Sequence, residues 1–89
     1  MVAINTGTLR YTVVLEPTGE PDQPGWYYAH VPALDLTTHG LGVEGALDAA
    51  KDLVTGWLAE LAAHGDPIPQ EKPGFISQIE VSQDALHGA

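Results

Sequence analysis

Cysteine is absent from this 89-residue chain, and basic residues are scarce. The lack of thiols excludes disulfides, thiolate metal sites and cysteine nucleophiles, and it is typical of a reducing compartment. Only Arg10, Lys51 and Lys72 carry a positive charge, against 12 Asp and Glu, for a formal net charge of −9. Because nucleic-acid binding needs cations that displace phosphate counterions, we expect no direct nucleic-acid binding. A basic partner would be attracted, although acidity that only maintains solubility is the alternative.

Long apolar runs are missing as well. The apolar runs early in the chain, such as residues 1–4 and 13–15, are far short of the roughly 20 residues that span a bilayer. Residues 1–5 lack the basic segment and apolar stretch of a signal peptide. An anionic membrane surface would also repel so acidic a chain. We therefore expect a cytoplasmic protein that does not bind membranes.

The first half of the chain has the period-two alternation of β-strands. This alternation predicts strands at residues 9–16 and 26–31, and the β-prone residues 36–39 predict a short third strand. Residues 17–25 are rich in proline and glycine and predict a long hairpin loop between the first two strands. Pro32 is expected to end the second strand.

The period then changes to that of a helix. Apolar residues at spacings of three and four predict an amphipathic helix over residues 43–64. Gly42 occupies the expected N-cap position. Gly65 is placed to end the helix in the left-handed conformation, and Pro67 prevents its continuation.

A last strand is predicted at residues 75–81, followed by a loose tail at residues 82–89. The element order is then β-β-β-α-β. We expect an α+β fold, an antiparallel β-sheet with one long helix packed on one face, formed by residues 1–89 as a single domain.

The predicted second strand would present aromatic side chains on the sheet face opposite the helix. An exposed aromatic face is typical of an interface, so we expect it to contact a partner or a second copy of the chain. The alternative is that residues 17–25 or the N-terminal segment fold over it. The predicted contact residues on this face are Val14, Trp26, Tyr28 and His30.

The outer face of the predicted helix is a second candidate surface. Glu44, Asp48 and Asp52 follow one another at spacings of four. A solvated helix face is one interpretation of this pattern. If a basic protein docks there instead, these acids should govern the association rate and its salt dependence.

Four segments, in this order, resemble the N-terminal domain of HicB-type antitoxins. The first two resemble that family's opening strands, the third resembles its threonine–glycine step into the helix, and the last resembles its Pro-Ile-Pro close. These segments are residues 11–17 (YTVVLEP), 26–32 (WYYAHVP), 37–47 (TTHGLGVEGAL) and 61–69 (LAAHGDPIP). The loop at residues 33–36 departs from the family's proline–glycine turn, and residues 41–42 replace its acidic and capping residues.

The resemblance implies a partial ribonuclease-H-like fold without catalysis. It also implies a role in a type II toxin-antitoxin system, in which the domain neutralises a small basic HicA-like ribonuclease toxin. Many relatives add a DNA-binding domain, but residues 72–89 are too few to provide one, so operator binding is not carried over. With so small a core, a homo-oligomer (a dimer or a tetramer) is also expected.

We expect no catalytic residue, cofactor or metal site. Only Glu16 and Glu80 lie in predicted strands as candidate ligands for a ribonuclease-H-like metal pair. The histidines lack the i, i+4 spacing of a helical zinc site, and His39 is the best loop candidate for a functional role. Two alternatives stay open: a solitary oligomeric regulatory domain of HicB fold without a toxin, and a degenerate metal-dependent nuclease.

Overall fold

The structure is a computed structural model that describes residues 7–87. The segment without signal-peptide features (residues 1–5) and the last two residues of the predicted tail lie outside the described residues. Three antiparallel strands form one sheet in the order β1-β2-β3. They are β1 (Val14–Pro17), β2 (Trp26–Val31) and β3 (Leu36–Leu41).

The long helix α1 (Gly42–Ala63) packs across β2 and β3 on one face of this sheet. A short 3-10 helix (Pro32–Leu34) connects β2 to β3, since Pro32 cannot donate to a sheet ladder. The α+β class, with one long helix on one face of an antiparallel sheet, is therefore confirmed. The third strand continues two residues beyond the predicted 36–39, because β2 offers partners as far as Leu41.

The core is small and lies between the sheet and α1. Its fully buried residues are Ala29 and Val31 from β2 and Ala46 and Ala50 from α1. Such small side chains bring the helix close to the sheet. Larger side chains pack around them while remaining partly exposed: Tyr11, Val13, Leu15, Tyr27, Leu34 and Val54.

Glycine makes the closest contact between β3 and α1. A Cβ atom added to Gly40 would lie 2.5 Å from the backbone C and O of Gly45 and 2.6 Å from the N of Ala46. No side chain can occupy that space, so Gly40 sets the distance at which the helix crosses the sheet. Gly45 presents its backbone at the same contact.

The first strand is shorter than predicted. Pairing begins at Val14, which lies opposite His30, so only residues 14–17 are a strand, and the prediction of a strand from residue 9 is wrong at its start. The same register continued backward would set Thr12 against Pro32, which has no N–H to donate. Thr12 instead donates its backbone N–H to Glu71 Oε1, at 2.7 Å.

A glycine with a left-handed backbone lies at the start of helix α1 and another lies just beyond its end. Leu41, rather than Gly42, is the N-cap residue, and no side chain caps this end. Gly42 has a φ of 72° and donates its N–H to the carbonyl oxygen of Gly25. At the other end Gly65 has a φ of 72°, and the N–H of Asp66 reaches back to the oxygen of Leu61 at 2.9 Å. The predicted left-handed termination at Gly65 is thus confirmed.

The predicted last strand at residues 75–81 is wrong. In the described residues this segment has no regular secondary structure and pairs with no strand, and its apolar side chains are exposed. We refer to residues 72–82 as the C-terminal arm. Alternation alone indicates an extended, amphipathic segment, whereas a strand also needs a neighbouring edge. Within the predicted loose tail, Gln83–Leu86 form one helical turn, α2, which is capped by the Ser82 side chain.

Candidate functional site

The face of the sheet opposite α1, here called the far face, carries most of the predicted contact residues. In the register of the sheet, Val14 lies opposite His30. Tyr28 lies between Glu16 on β1 and His39 on β3. Trp26 is opposite Leu41 at the end of the sheet. Since directly opposed residues share a face, Val14, Trp26, Tyr28 and His30 lie on one surface, as the alternation predicts.

Three rings form a cluster on the far face. The ring centroids of Trp26 and His39 are 5.4 Å apart at an interplanar angle of 44°. Tyr28 meets His39 edge-on, with centroids 6.4 Å apart. The Tyr28 side chain is 41% exposed although it lies in the central strand. His39, the last residue of the predicted third strand, lies within β3 and joins the two aromatic residues.

Acidic residues of the loop at residues 17–25 border this cluster. A shallow cleft of about 340 Å³ is lined by Glu20, Asp22, Gln23, Tyr28 and His39. We call it the aromatic–acidic cleft. The loop thus lies beside the far face without covering it, so the predicted alternative of a loop folded over the aromatic residues is not what the structure has.

The loop that supplies the two acids is held by its own backbone. The N–H of Gln23 donates to the oxygen of Glu20 at 3.0 Å, and that of Trp26 donates to the oxygen of Gln23 at 3.2 Å. The hydroxyl of Thr18 accepts from the N–H of Glu20 at 3.4 Å. The carboxylates are therefore carried by a hydrogen-bonded turn next to the rings. Carboxylates beside aromatic faces suit a guanidinium, which pairs with the former and stacks on the latter.

His30 and Val14 lie at the other end of the far face. The Nδ1 of His30 and the hydroxyl of Thr37 are 2.7 Å apart, a cross-strand hydrogen bond. Both His30 and Val14 are half-buried. They extend the far face away from the cleft, and Val14 adds an apolar side chain to it.

The acidic face of the helix is a separate surface. Glu44, Asp48 and Asp52 are all exposed, and their helical positions are opposite those of the buried Ala46 and Ala50. The helix packs on the sheet face away from the aromatic cluster, so the structure does not bring these acids to the far face. A small partner on the cleft would not reach them.

The candidate acids for metal chemistry also lie apart in the fold. Glu16 is on β1, whereas Glu80 is in the exposed C-terminal arm. Among residues 7–87, no three His, Asp or Glu side chains come together in a group that could hold a metal ion.

A polar clamp joins the segment after α1 to the start of β1. Glu71 accepts the backbone N–H and the hydroxyl of Thr12, both at 2.7 Å, and the Tyr11 hydroxyl donates to the carbonyl oxygen of Pro69. The two bonds from Thr12, first the backbone bond and then the hydroxyl bond, lower the pKa of Glu71 because they stabilise its charged form. This Thr12–Glu71 clamp is the point from which the C-terminal arm departs.

Sequence reasoning missed Glu20 and Asp22 as candidate contact residues. They lie in a loop whose shape no local pattern predicts, whereas the helix acids have a regular spacing of four. A usable signal was the position of Glu16, because a hairpin that sets Glu16 opposite Tyr28 also brings the following loop beside the same aromatic residues.

No helix in the part of the chain that the structure describes is long and apolar enough to cross a membrane. Comparisons of the chain with protein-family models, with curated proteins and with solved structures found no match in any of the three.

Proposed function

We propose that the chain is an antitoxin-type protein-binding module that neutralises a small basic HicA-like ribonuclease toxin. In this proposal the fold is a partial ribonuclease-H-like arrangement that works in the cytoplasm by occlusion, without catalysis. The observation that carries the proposal is the aromatic–acidic cleft, where Glu20 and Asp22 lie beside Tyr28 and His39. The ordered resemblance of residues 11–70 to HicB-type antitoxins supports the same function.

The cleft fits an arginine side chain of the partner. The carboxylates of Glu20 and Asp22 offer acceptors for its N–H groups, while the ring of Tyr28 offers a face for stacking. The net charge of −9 adds a long-range attraction for any basic protein. The two contributions are separable, because the first depends on particular residues and the second on total charge.

The proposal predicts that a small Lys/Arg-rich protein is encoded beside this one, and binding is tested by titration with that protein at low and at high salt. RNA cleavage by that protein is followed in parallel. We expect tight binding that weakens as salt rises, since charge attraction is screened, and a loss of RNA cleavage at one equivalent. Two results would contradict the proposal: no binding at either salt concentration, or RNA cleavage by the basic protein that is unchanged after one equivalent of this chain is added.

Two variants of equal charge locate the contact. The double change Glu20→Gln/Asp22→Asn removes two charges from the cleft, and Asp48→Asn/Asp52→Asn removes two from the opposite side of the molecule. At the same ionic strength we expect the first to weaken binding by about tenfold or more and the second by about twofold. If the second variant has the larger effect, the toxin docks on the helix and the cleft is not its site.

A second candidate is a solitary oligomeric regulatory domain of the same fold that has no toxin. The exposed apolar side chains of the C-terminal arm favour it, since such surface is usually covered by another chain. This candidate predicts a stable homo-oligomer and no binding to the neighbouring basic protein. The titration above separates the two candidates, because only the antitoxin-type module binds the basic protein.

A further inference from the structure

The C-terminal arm has the pattern of an amphipathic strand without a sheet. In an extended conformation, Phe75, Ile79 and Val81 fall on one side of this segment. Phe75 is fully exposed and Ile79 is 87% exposed. Within residues 7–87, no backbone hydrogen bond ties residues 72–81 to the rest of the chain. A single extended strand with a bare apolar side is not stable in water until it joins a sheet edge.

The same chain carries a free edge beside an apolar groove. In the described residues β1 pairs only with β2, so its outer edge is unpaired. Next to this edge, between the segment that precedes β1 and helix α1, lies a groove of about 400 Å³. Its apolar lining includes Leu9, Tyr11, Val13, Leu47, Val54 and Leu58. One additional strand with its apolar side toward α1 would pair with the edge and fill the groove.

We propose that two copies of the chain exchange their C-terminal arms, each arm adding a strand to the free edge of β1 in the other copy. The inference does not depend on the proposed antitoxin function. The contact is reciprocal and closes with two-fold symmetry, as isologous dimers do. This single contact would cover the exposed apolar side of the arm, the unpaired edge of β1 and the groove.

The place where the arm departs favours exchange. The Thr12–Glu71 clamp holds the chain beside the start of β1, and the arm begins at the next residue, Lys72. Beyond this point Phe75, Ile79 and Val81 are exposed, where a second copy can meet them.

Charge is compatible with a second copy at this contact. Each copy has a net charge of −9, so whole copies repel one another. Residues 73–79 contain no ionisable side chain, and the groove is lined by Lys51 as its only charged residue. Residues 73–79 of the exchanged arm therefore bring no carboxylate into the groove.

The first test compares two isoleucines on opposite sides of the arm. Ile79 is on the side with Phe75 and Val81, whereas Ile76, which is also exposed, is on the other side. In light-scattering and sedimentation measurements over a concentration series, the natural chain should have twice the mass of one 9.4 kDa chain. Ile79→Asp should raise the dimer dissociation constant by about tenfold or more, and Ile76→Asp by much less. Neither residue touches its own core, so both variants should keep the circular dichroism of the natural chain.

The second test asks which chains are joined. The chain has no cysteine, so Glu16→Cys and Gln78→Cys each introduce a unique thiol, on β1 and on the arm. When the two variants are mixed, a bifunctional thiol reagent longer than the roughly 5 Å between neighbouring strands should link one chain of each kind. Cross-linking within one chain of the double variant, and none between chains, would mean that the arm folds back on its own sheet.

Three further results would overturn the exchange. They are a monomer at all concentrations, a dimer that Ile79→Asp leaves intact, and a dimer that dissociates on Tyr28→Ser while Ile79→Asp has no effect. The last would place the self-contact on the far face. Binding of the basic neighbour is measured separately, so failure of either proposal leaves the other to be judged alone.

Discussion

Glu71 is exposed, yet it holds two parts of the chain that are 59 residues apart in sequence. The hydrogen bonds that it accepts from Thr12 are stronger when the carboxylate is charged, and they lower its pKa from the ordinary value of 4.5. A lowered pKa in the folded state means that the stabilising contribution is fully present above the ordinary value. The contribution is lost as the pH falls through the lowered pKa.

We therefore predict that acid opens the Thr12–Glu71 clamp. The amide proton of Thr12, followed by NMR, should move toward the shift of a water-exposed amide as the pH falls below about 4.5. In Glu71→Gln the amide position should not titrate in this range. An identical titration in the variant would assign the effect to another group.

Gly65 gives a prediction on a single backbone conformation. Its φ of 72° lies in the left-handed region, which disfavours a residue with a Cβ by roughly 1–2 kcal/mol. Gly65→Ala should lower the free energy of unfolding by about that amount in urea denaturation. Gly74→Ala is the control, because Gly74 has no positive φ and lies in the arm. Equal effects of the two changes would contradict the role of the helix end.

The packing of β3 against α1 depends on a missing side chain. Gly40→Ala places a methyl group 2.5 Å from the backbone of Gly45, which cannot rotate away. The helix must then shift, at a cost of about 1–3 kcal/mol of unfolding free energy. Thermal and urea denaturation measure the loss. A fully stable Gly40→Ala protein would show that the helix does not approach so closely.

Gly56 provides the opposite expectation in the same helix. A Cβ atom added there meets nothing within 4 Å. Because glycine disfavours a helix interior, Gly56→Ala should raise the free energy of unfolding by about 1 kcal/mol. Comparing Gly40→Ala with Gly56→Ala thus separates close packing from helix propensity. If both changes shifted the free energy of unfolding in the same direction, this account would be contradicted.

Strands are the elements for which sequence and structure differ most. The alternation of residues 9–16 is present, but only residues 14–17 pair, because Pro32 removes the partner of the earlier residues. The alternation of residues 75–81 is equally clear, yet this segment has no neighbour in the described chain. Alternation records which side chains avoid water, whereas pairing depends on which edge is available. The helix is local in its hydrogen bonds and was predicted to within one residue at each end.

Salt distinguishes the two proposed assemblies. In the proposed toxin complex opposite charges attract, so added salt should weaken that complex. Two copies of this chain repel through a net charge of −9 each, and their contact in the exchanged dimer is apolar, so added salt should strengthen the dimer. Dissociation constants at about 0.05 and 0.5 M salt, where the screening length falls severalfold, measure both trends. A homodimer that weakens with salt would point to a polar contact in place of the arm.

Some features of the candidate site could be predicted from the sequence, and others depend on the fold. That Trp26, Tyr28 and His30 share a face follows from period two and from the burial of Ala29 and Val31. That His39 lies between two aromatic rings follows from the β2–β3 register, which no local pattern specifies. The acids Glu20 and Asp22 reach the rings only because the hairpin loop folds to that side.

The amino-acid sequence is sufficient for the α+β class, the long helix and its glycine end, the far-face aromatic residues and the excess of negative charge. These features depend on local hydrogen bonds, on side-chain alternation or on composition. Folding in three dimensions set the start of β1, the approach of Gly40 to Gly45, the aromatic–acidic cleft and the unpaired arm. Each of these depends on contacts between residues distant in sequence, and an unpaired edge is a property of the assembled sheet.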